Sequence, residues 1–128
     1  MRFYSFLPGV AWLVFSSVLL AMPGNELPTT QFSKIPYFDK LVHLGMFSLL
    51  TLFFCLPFRA SSMSAGYVIY WFTLISTLVL SFGIAMEFVQ KYLVANRSFD
   101  EVDILFDGIG CTIGAFVSWF FYKKDRPR

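Results

Sequence analysis

Three groups of ionisable residues stand at the ends of otherwise apolar runs, and their types are those of acid–base and head-group chemistry. Asp39, Lys40 and His43 open the run FDKLVHLGMF. Glu87, Gln90 and Lys91 close the run AMEFVQKYL. Arg97, Asp100, Asp103 and Asp107 fall within RSFDEVDILFDGIG. On a helix, residues three, four and seven apart share a face, so each group gathers on one side of its segment. His43 has an ordinary pKa of about 6.5 and is a candidate acid or base, with Asp39 one turn away. Lys40 and Arg97 suit a phosphate. The carboxylates suit cationic or hydroxylated groups, and Asp100, Asp103, Glu87 and Asp107 could hold a divalent cation through oxygens. His43, Glu87 and Asp103 are the candidates for a catalytic role.

The elements that must position these residues are membrane helices. Of 128 residues, 57% are hydrophobic, 20% aromatic and only 14% charged. Soluble domains carry about 25% charged residues, so this composition belongs to another class. The fold expected is all-α: a single polytopic domain over residues 1–128. A net charge of +2, with no basic stripe, excludes nucleic acid as a partner. Cys55 and Cys111 sit in apolar runs and read as small buried hydrophobes. Neither has companions at metal-ligand spacing, so no metal ligand and no cofactor is assigned.

A bilayer core about 30 Å thick needs roughly 20 apolar residues of helix. Segments at about 3–22, 39–57, 65–91 and 100–122 meet that need. The first reads as a retained anchor, because Arg2 is its sole basic flank and no A-x-A-like site follows. Pro23, Gly24, Asn25, Pro28 and Pro36 mark the connection after it as a loop. Four spans place both termini on one side. Arg2, Arg59, Lys123, Lys124, Arg126 and Arg128 share that side, against Lys34, Lys40, Lys91 and Arg97 on the other. The positive-inside rule therefore puts the termini in the cytoplasm and the loops at 23–40 and 91–101 outside.

In this topology all three ionisable groups reach the outer face. The uncharged part of the last span, Gly108 to Tyr122, is about 15 residues, or roughly 22 Å. That is shorter than the hydrocarbon core, which places Asp107 within or at the membrane. His43 lies near the same boundary, and Glu87 about one turn inside it. Charge at such depth is costly and marks function. The expected site is an outward polar pocket with Asp107, Glu87 and His43 as its deeper wall. Below the acids, the stripe continues as Gly110 and Gly114, a G-x-x-x-G that lets another helix approach closely. Packing within one chain is its expected use, and a homodimer is the alternative. The plainer account of the charges is pairing: Lys40, Lys91 and Arg97 with three of the acids, and Asp39 at a helix N-terminus. Trp12, Tyr67, Tyr70, Trp119 and Tyr122 read as lipid-facing or belt aromatics.

Taken together, D-K-L-V-H at 39–43, E-x-x-Q at Glu87 and Gln90, R-x-x-D-x-x-D from Arg97 to Asp103, and the glycine pair resemble the VanZ-like family of small bacterial membrane proteins. The resemblance runs from about Phe6 to Tyr122. At Asp107 the family more usually has Asn. The resemblance implies a bacterial cytoplasmic-membrane protein of four helices, linked through the family's namesake to low-level resistance to the glycopeptide teicoplanin. It supplies a setting but no reaction.

Three functions follow as expectations. The first is a binding or envelope-modulating protein whose pocket holds the polar head of a membrane lipid, a lipid-linked precursor or an amphipathic antibiotic. The second is an intramembrane enzyme acting on a phospho- or prenyl-lipid head group, with His43 as general base and Arg97 steadying a phosphoryl charge. The third is a proton-coupled carrier relaying through His43, Glu87 and Asp107. A carrier needs polar residues along the cytoplasmic half, for which Ser76, Thr77, Ser81 and Thr112 are taken as the candidates.

Overall fold

Apolar runs broken by proline, glycine and capping residues fold into four helices in the computed structural model, which describes residues 2–27 and 31–126 apart from the side chains of 32 and 33. Pro28 of the first loop and Arg128 of the basic tail lie outside the described residues. Helix α1 (Leu7–Ala21) continues from a 3-10 turn at Phe3–Phe6. Helix α2 (Phe38–Cys55) runs into a second such turn, Leu56–Phe58, around Pro57. Helix α3 (Ala65–Leu93) starts at Ser64, whose hydroxyl accepts from the Tyr67 amide. Helix α4 (Glu101–Asp125) starts at Asp100, whose carboxylate accepts from the Val102 amide at 2.8 Å. Both caps satisfy donors that a helix start leaves open.

All four helices are long and apolar enough to cross a membrane. They match the spans expected from sequence; the largest difference is at the end of α4, which reaches Asp125. Contacts fix the up-and-down order. The Gln90 amide of α3 meets the last turn of α1, and His43 at the start of α2 meets Asp107 in the second turn of α4. At the opposite end the Tyr122 hydroxyl donates to the Met63 carbonyl, 2.8 Å away. Thus the end of α1, the start of α2, the end of α3 and the start of α4 share one end of the bundle.

The most extensive interface joins α2 and α4. Its α4 face is the stripe Asp103, Asp107, Gly110, Cys111, Gly114, Ser118 and Tyr122, all buried. Gly110 and Gly114 lie directly on the backbone of α2. A Cβ on Gly110 would come 2.6 Å from the Leu44 carbonyl oxygen, and one on Gly114 would collide with that of Ser48. The glycine pair is therefore used within the chain. Two apolar clusters fill the interior beneath the polar end. One holds Leu20, Met46, Phe47, Leu50, Val79 and Cys111, the other Cys55, Phe58, Val68, Phe72 and Tyr122.

Two aromatics read as belt positions face inward instead. Tyr122 is buried, and the Trp12 indole donates to the Met46 carbonyl at 3.0 Å. The N–H of the indole and the O–H of the phenol each need an acceptor that lipid could not supply, and the Met46 and Met63 carbonyls provide it. Tyr67 and Tyr70 are exposed, as expected of lipid-facing rings.

Candidate functional site

The buried face of α2 begins with Lys40 and His43, then continues through Met46, Phe47 and Leu50. That face is offset from the Asp39–His43 line. Asp39 points outward with 66% of its side chain exposed, and its carboxylate reaches only the edge of the cluster, 3.0 Å from Lys40 Nζ. His43 takes its carboxylate partner from another helix. Its Nδ1 lies 2.8 Å from Asp107 Oδ1, and Asp107 is fully buried. The other ring nitrogen, Nε2, points towards Asp103, with Oδ2 at 3.7 Å, beyond hydrogen-bonding reach.

Lys40 organises the rim. Its ammonium pairs with Asp100 and, at 2.6 Å, with Asp103 Oδ1. The ammonium holds the Asp100 carboxyl below the usual carboxylate range. Glu87, buried to 1% exposure near the end of α3, closes the third side. Its Oε2 accepts the Asp100 backbone N–H at 3.0 Å, which ties the α4 cap to α3. Phe47 forms the floor: its ring is fully buried and stacks parallel to the His43 imidazole at 6.2 Å between centroids. Together these residues bring five carboxylates, those of Asp39, Glu87, Asp100, Asp103 and Asp107, around one lysine and one histidine.

The other expected site residues serve α1. The Gln90 amide donates to the Leu20 carbonyl at 3.0 Å. Arg97 donates to the Met22 carbonyl at 3.3 Å and to that of Leu19 at 3.4 Å. The Leu20 carbonyl is one that the last turn of a helix leaves without an intrahelical partner, Met22 follows the helix end, and the Leu19 carbonyl accepts the Met22 N–H as well. Arg97 is therefore occupied away from the acids. Lys91 is exposed, its ammonium lying over the rings of Tyr92 and Phe99. Of the basic residues expected to neutralise the cluster, Lys40 alone enters it among the described residues.

The charge balance is one-sided. Two like charges about 5 Å apart repel by roughly 3 kcal/mol at an effective dielectric of 20, the order that applies near a protein surface. One lysine pairing mainly with Asp100 and Asp103 leaves Glu87 and Asp107 facing each other's field around His43.

Sequence reasoning missed Gly83. This residue lies one turn below Glu87 on the buried face of α3. A Cβ there would come 2.6 Å from Asp107 Oδ2 and 2.8 Å from the Phe47 ring. Gly83 is what makes room for the deepest carboxylate. A small residue four positions before a buried acid, on the same face, was the available signal.

Two loops secure the polar end from above. The Gly24 amide donates to the Ala95 carbonyl at 3.1 Å, and Asn96 adopts a left-handed φ of 57° beside Asn25. Asn is among the few non-glycine residues that take that conformation readily.

No protein-family model and no solved structure matches the chain. Over 92 residues, 70% of its length, it is 33% identical to an uncharacterised protein of the fission yeast Schizosaccharomyces pombe. The chain spans about half of that relative, 52% of its length.

Proposed function

We propose that the protein is a VanZ-like, multi-pass membrane protein whose polar end binds the head group of a membrane lipid or lipid-linked precursor, with its acyl part lying along the helices. The observation that carries this reading is the convergence of Lys40, His43, Glu87, Asp100, Asp103 and Asp107, from three helices, at one end of the bundle. Charges of that depth are expensive and are retained where they meet a ligand. With both termini in the cytoplasm, as the basic flanks favour, this end faces outward. A yeast relative favours a ligand common to bacteria and eukaryotes, a lipid, over a role confined to glycopeptide susceptibility.

Native mass spectrometry on protein released from detergent tests the binding. One phospho- or glycolipid per chain is expected, with retention reduced in Asp103→Asn. Protein that carries no lipid, and shows no thermal shift with any phospho- or glycolipid, overturns it. Orientation is read by labelling single cysteines placed at Asn25, Asn96 and Lys123 in a background without Cys55 and Cys111. Asn25→Cys and Asn96→Cys should react with an impermeant reagent from outside, and Lys123→Cys should not.

A second reading is favoured by one geometric feature. An imidazole held at one nitrogen by a buried carboxylate, its other nitrogen free of a hydrogen bond, is the arrangement of a general base. This supports an intramembrane enzyme acting on a phospho- or prenyl-lipid head group, with His43 as base and Asp107 orienting it. Turnover of such a lipid by purified protein, abolished in His43→Ala, would establish it. Turnover equal in the wild type and His43→Ala would exclude it. The carrier reading gains no support, because Thr77, Ser81 and Thr112 all donate to carbonyls of their own helices.

A further inference from the structure

The head-group reading leaves a gap: a phosphate needs positive charge, Arg97 is committed to α1, and Lys40 already serves Asp100 and Asp103. We infer that His43, Glu87 and Asp103 form a binding site for one first-row divalent cation, Zn2+ or Mn2+, and that this ion meets the phosphate of the bound lipid. The phosphate half of the inference rests on the proposed head-group function; the metal site itself does not.

Two independent observations carry the site. First, one potential ligand atom from each of these three residues lies within 4.8 Å of the others, and all three residues are more than nine-tenths buried. Two donors about 2.1 Å from a shared Zn2+ in tetrahedral geometry stand roughly 3.4 Å apart. The 3.7 Å between His43 Nε2 and Asp103 Oδ2 is close to that spacing, and it is too long for a hydrogen bond. Second, the buried imidazole turns a nitrogen with no hydrogen-bond partner among the described residues towards the carboxylates, while Asp107 holds its opposite nitrogen. A carboxylate on the far nitrogen is the support that metal-ligating histidines almost always have, because it fixes the ring and its tautomer.

The oxygens are already divided to suit this use. Asp103 gives Oδ1 to Lys40 and turns Oδ2 towards His43. Glu87 gives Oε2 to the Asp100 amide, which leaves its other oxygen for the site. One imidazole with two carboxylates is a mixed donor set: imidazole suits zinc and similar metals, and carboxylates suit manganese. Three protein donors leave coordination positions open, where a phosphate oxygen or water would bind.

The test is titration of the full chain in detergent, first stripped with a chelator, using Zn2+ and separately Mn2+, followed by calorimetry and by the Mn2+ EPR signal. One ion per chain is expected. Affinity should fall roughly 10- to 100-fold in Asp107→Asn, the positioning residue, and further in His43→Gln, Glu87→Gln and Asp103→Asn. It should be unchanged in Glu101→Gln and in the Cys55→Ala, Cys111→Ala double variant. Wild-type protein that takes up no stoichiometric ion overturns the site without reliance on any variant. So does an ion whose affinity survives all three ligand substitutions. A short-chain phosphatidic acid, added to ion-loaded protein, should tighten ion binding. Ion binding indifferent to that lipid overturns the phosphate contact and leaves the metal site standing. A retained lipid without an ion overturns the site and leaves the head-group reading standing.

Discussion

Gly83 and Asp107 face each other across the α3–α4 contact, and the hydrogen on the glycine is what allows the carboxylate to stay buried. A methyl group on Gly83 would stand 2.6 Å from Asp107 Oδ2. The acid and the gap for it come from different helices, so neither can change alone.

Gly83→Ala should therefore destabilise the protein by about 1–3 kcal/mol, the usual cost of overpacking. Gly45→Ala is the matched control, since nothing lies within 4 Å of its Cβ position. Thermal unfolding in detergent should separate the two. Equal melting temperatures would show that Asp107 does not need that space.

The α2–α4 contact should be equally intolerant at Gly110, where the obstacle is the Leu44 carbonyl and so cannot rotate away. Gly110→Ala is expected to cost about 1–3 kcal/mol. Gly108→Ala, whose Cβ would meet only Leu80 at an ordinary 3.9 Å, should be neutral or slightly stabilising. The same unfolding assay checks both.

Lys40→Met should be among the most damaging single changes, costing about 3–5 kcal/mol, because it strands the buried Asp103 carboxylate, and the partly exposed Asp100, without their partner. Asp39→Asn removes only an exposed partner and should cost at most about 1 kcal/mol.

The same ion pair predicts a pH dependence. Asp100 is held below its ordinary value by Lys40, so its contribution is fully present above about pH 4 and is lost as pH falls through the lowered folded value. Wild-type stability should decline on acidification through that window. In Lys40→Met the component due to Asp100 should shrink to what the Val102 N–H supplies, giving a shallower acid limb in unfolding measured from pH 6 to pH 3.

The spans were legible because their signal is additive: some twenty apolar residues bounded by Pro57, Ser64 or Asp100 leave little else for the chain to do. That the three polar groups lie at one end of the bundle also followed from counting spans; which of their members meet did not. Partner choice was not legible. Asp39 and His43 share a helical spacing, yet a rotation of α2 by a fraction of a turn turns Asp39 outward and makes Lys40 and His43 the inner pair. Arg97 looked like an anion-binding group because a guanidinium suits a phosphate, or like a partner for the acids beside it in sequence. Its guanidinium instead found the open carbonyls of α1, a requirement invisible until the helix ends are placed together. Gly83 escaped notice because a lone glycine in an apolar helix has no meaning until its opposite number is known.

The ties that Gln90 and Arg97 make to the carbonyls of Leu19, Leu20 and Met22 also bear on how the protein is made. Helix α1 ends in carbonyls whose partners are encoded seventy or more positions later. Until the end of α3 has been made, the Leu20 and Met22 carbonyls lack the side-chain donors that they have in the folded chain. Helix α1 precedes α3 in the chain yet has its end settled by it, and a nascent chain cut short before Gln90 would hold α1 only loosely.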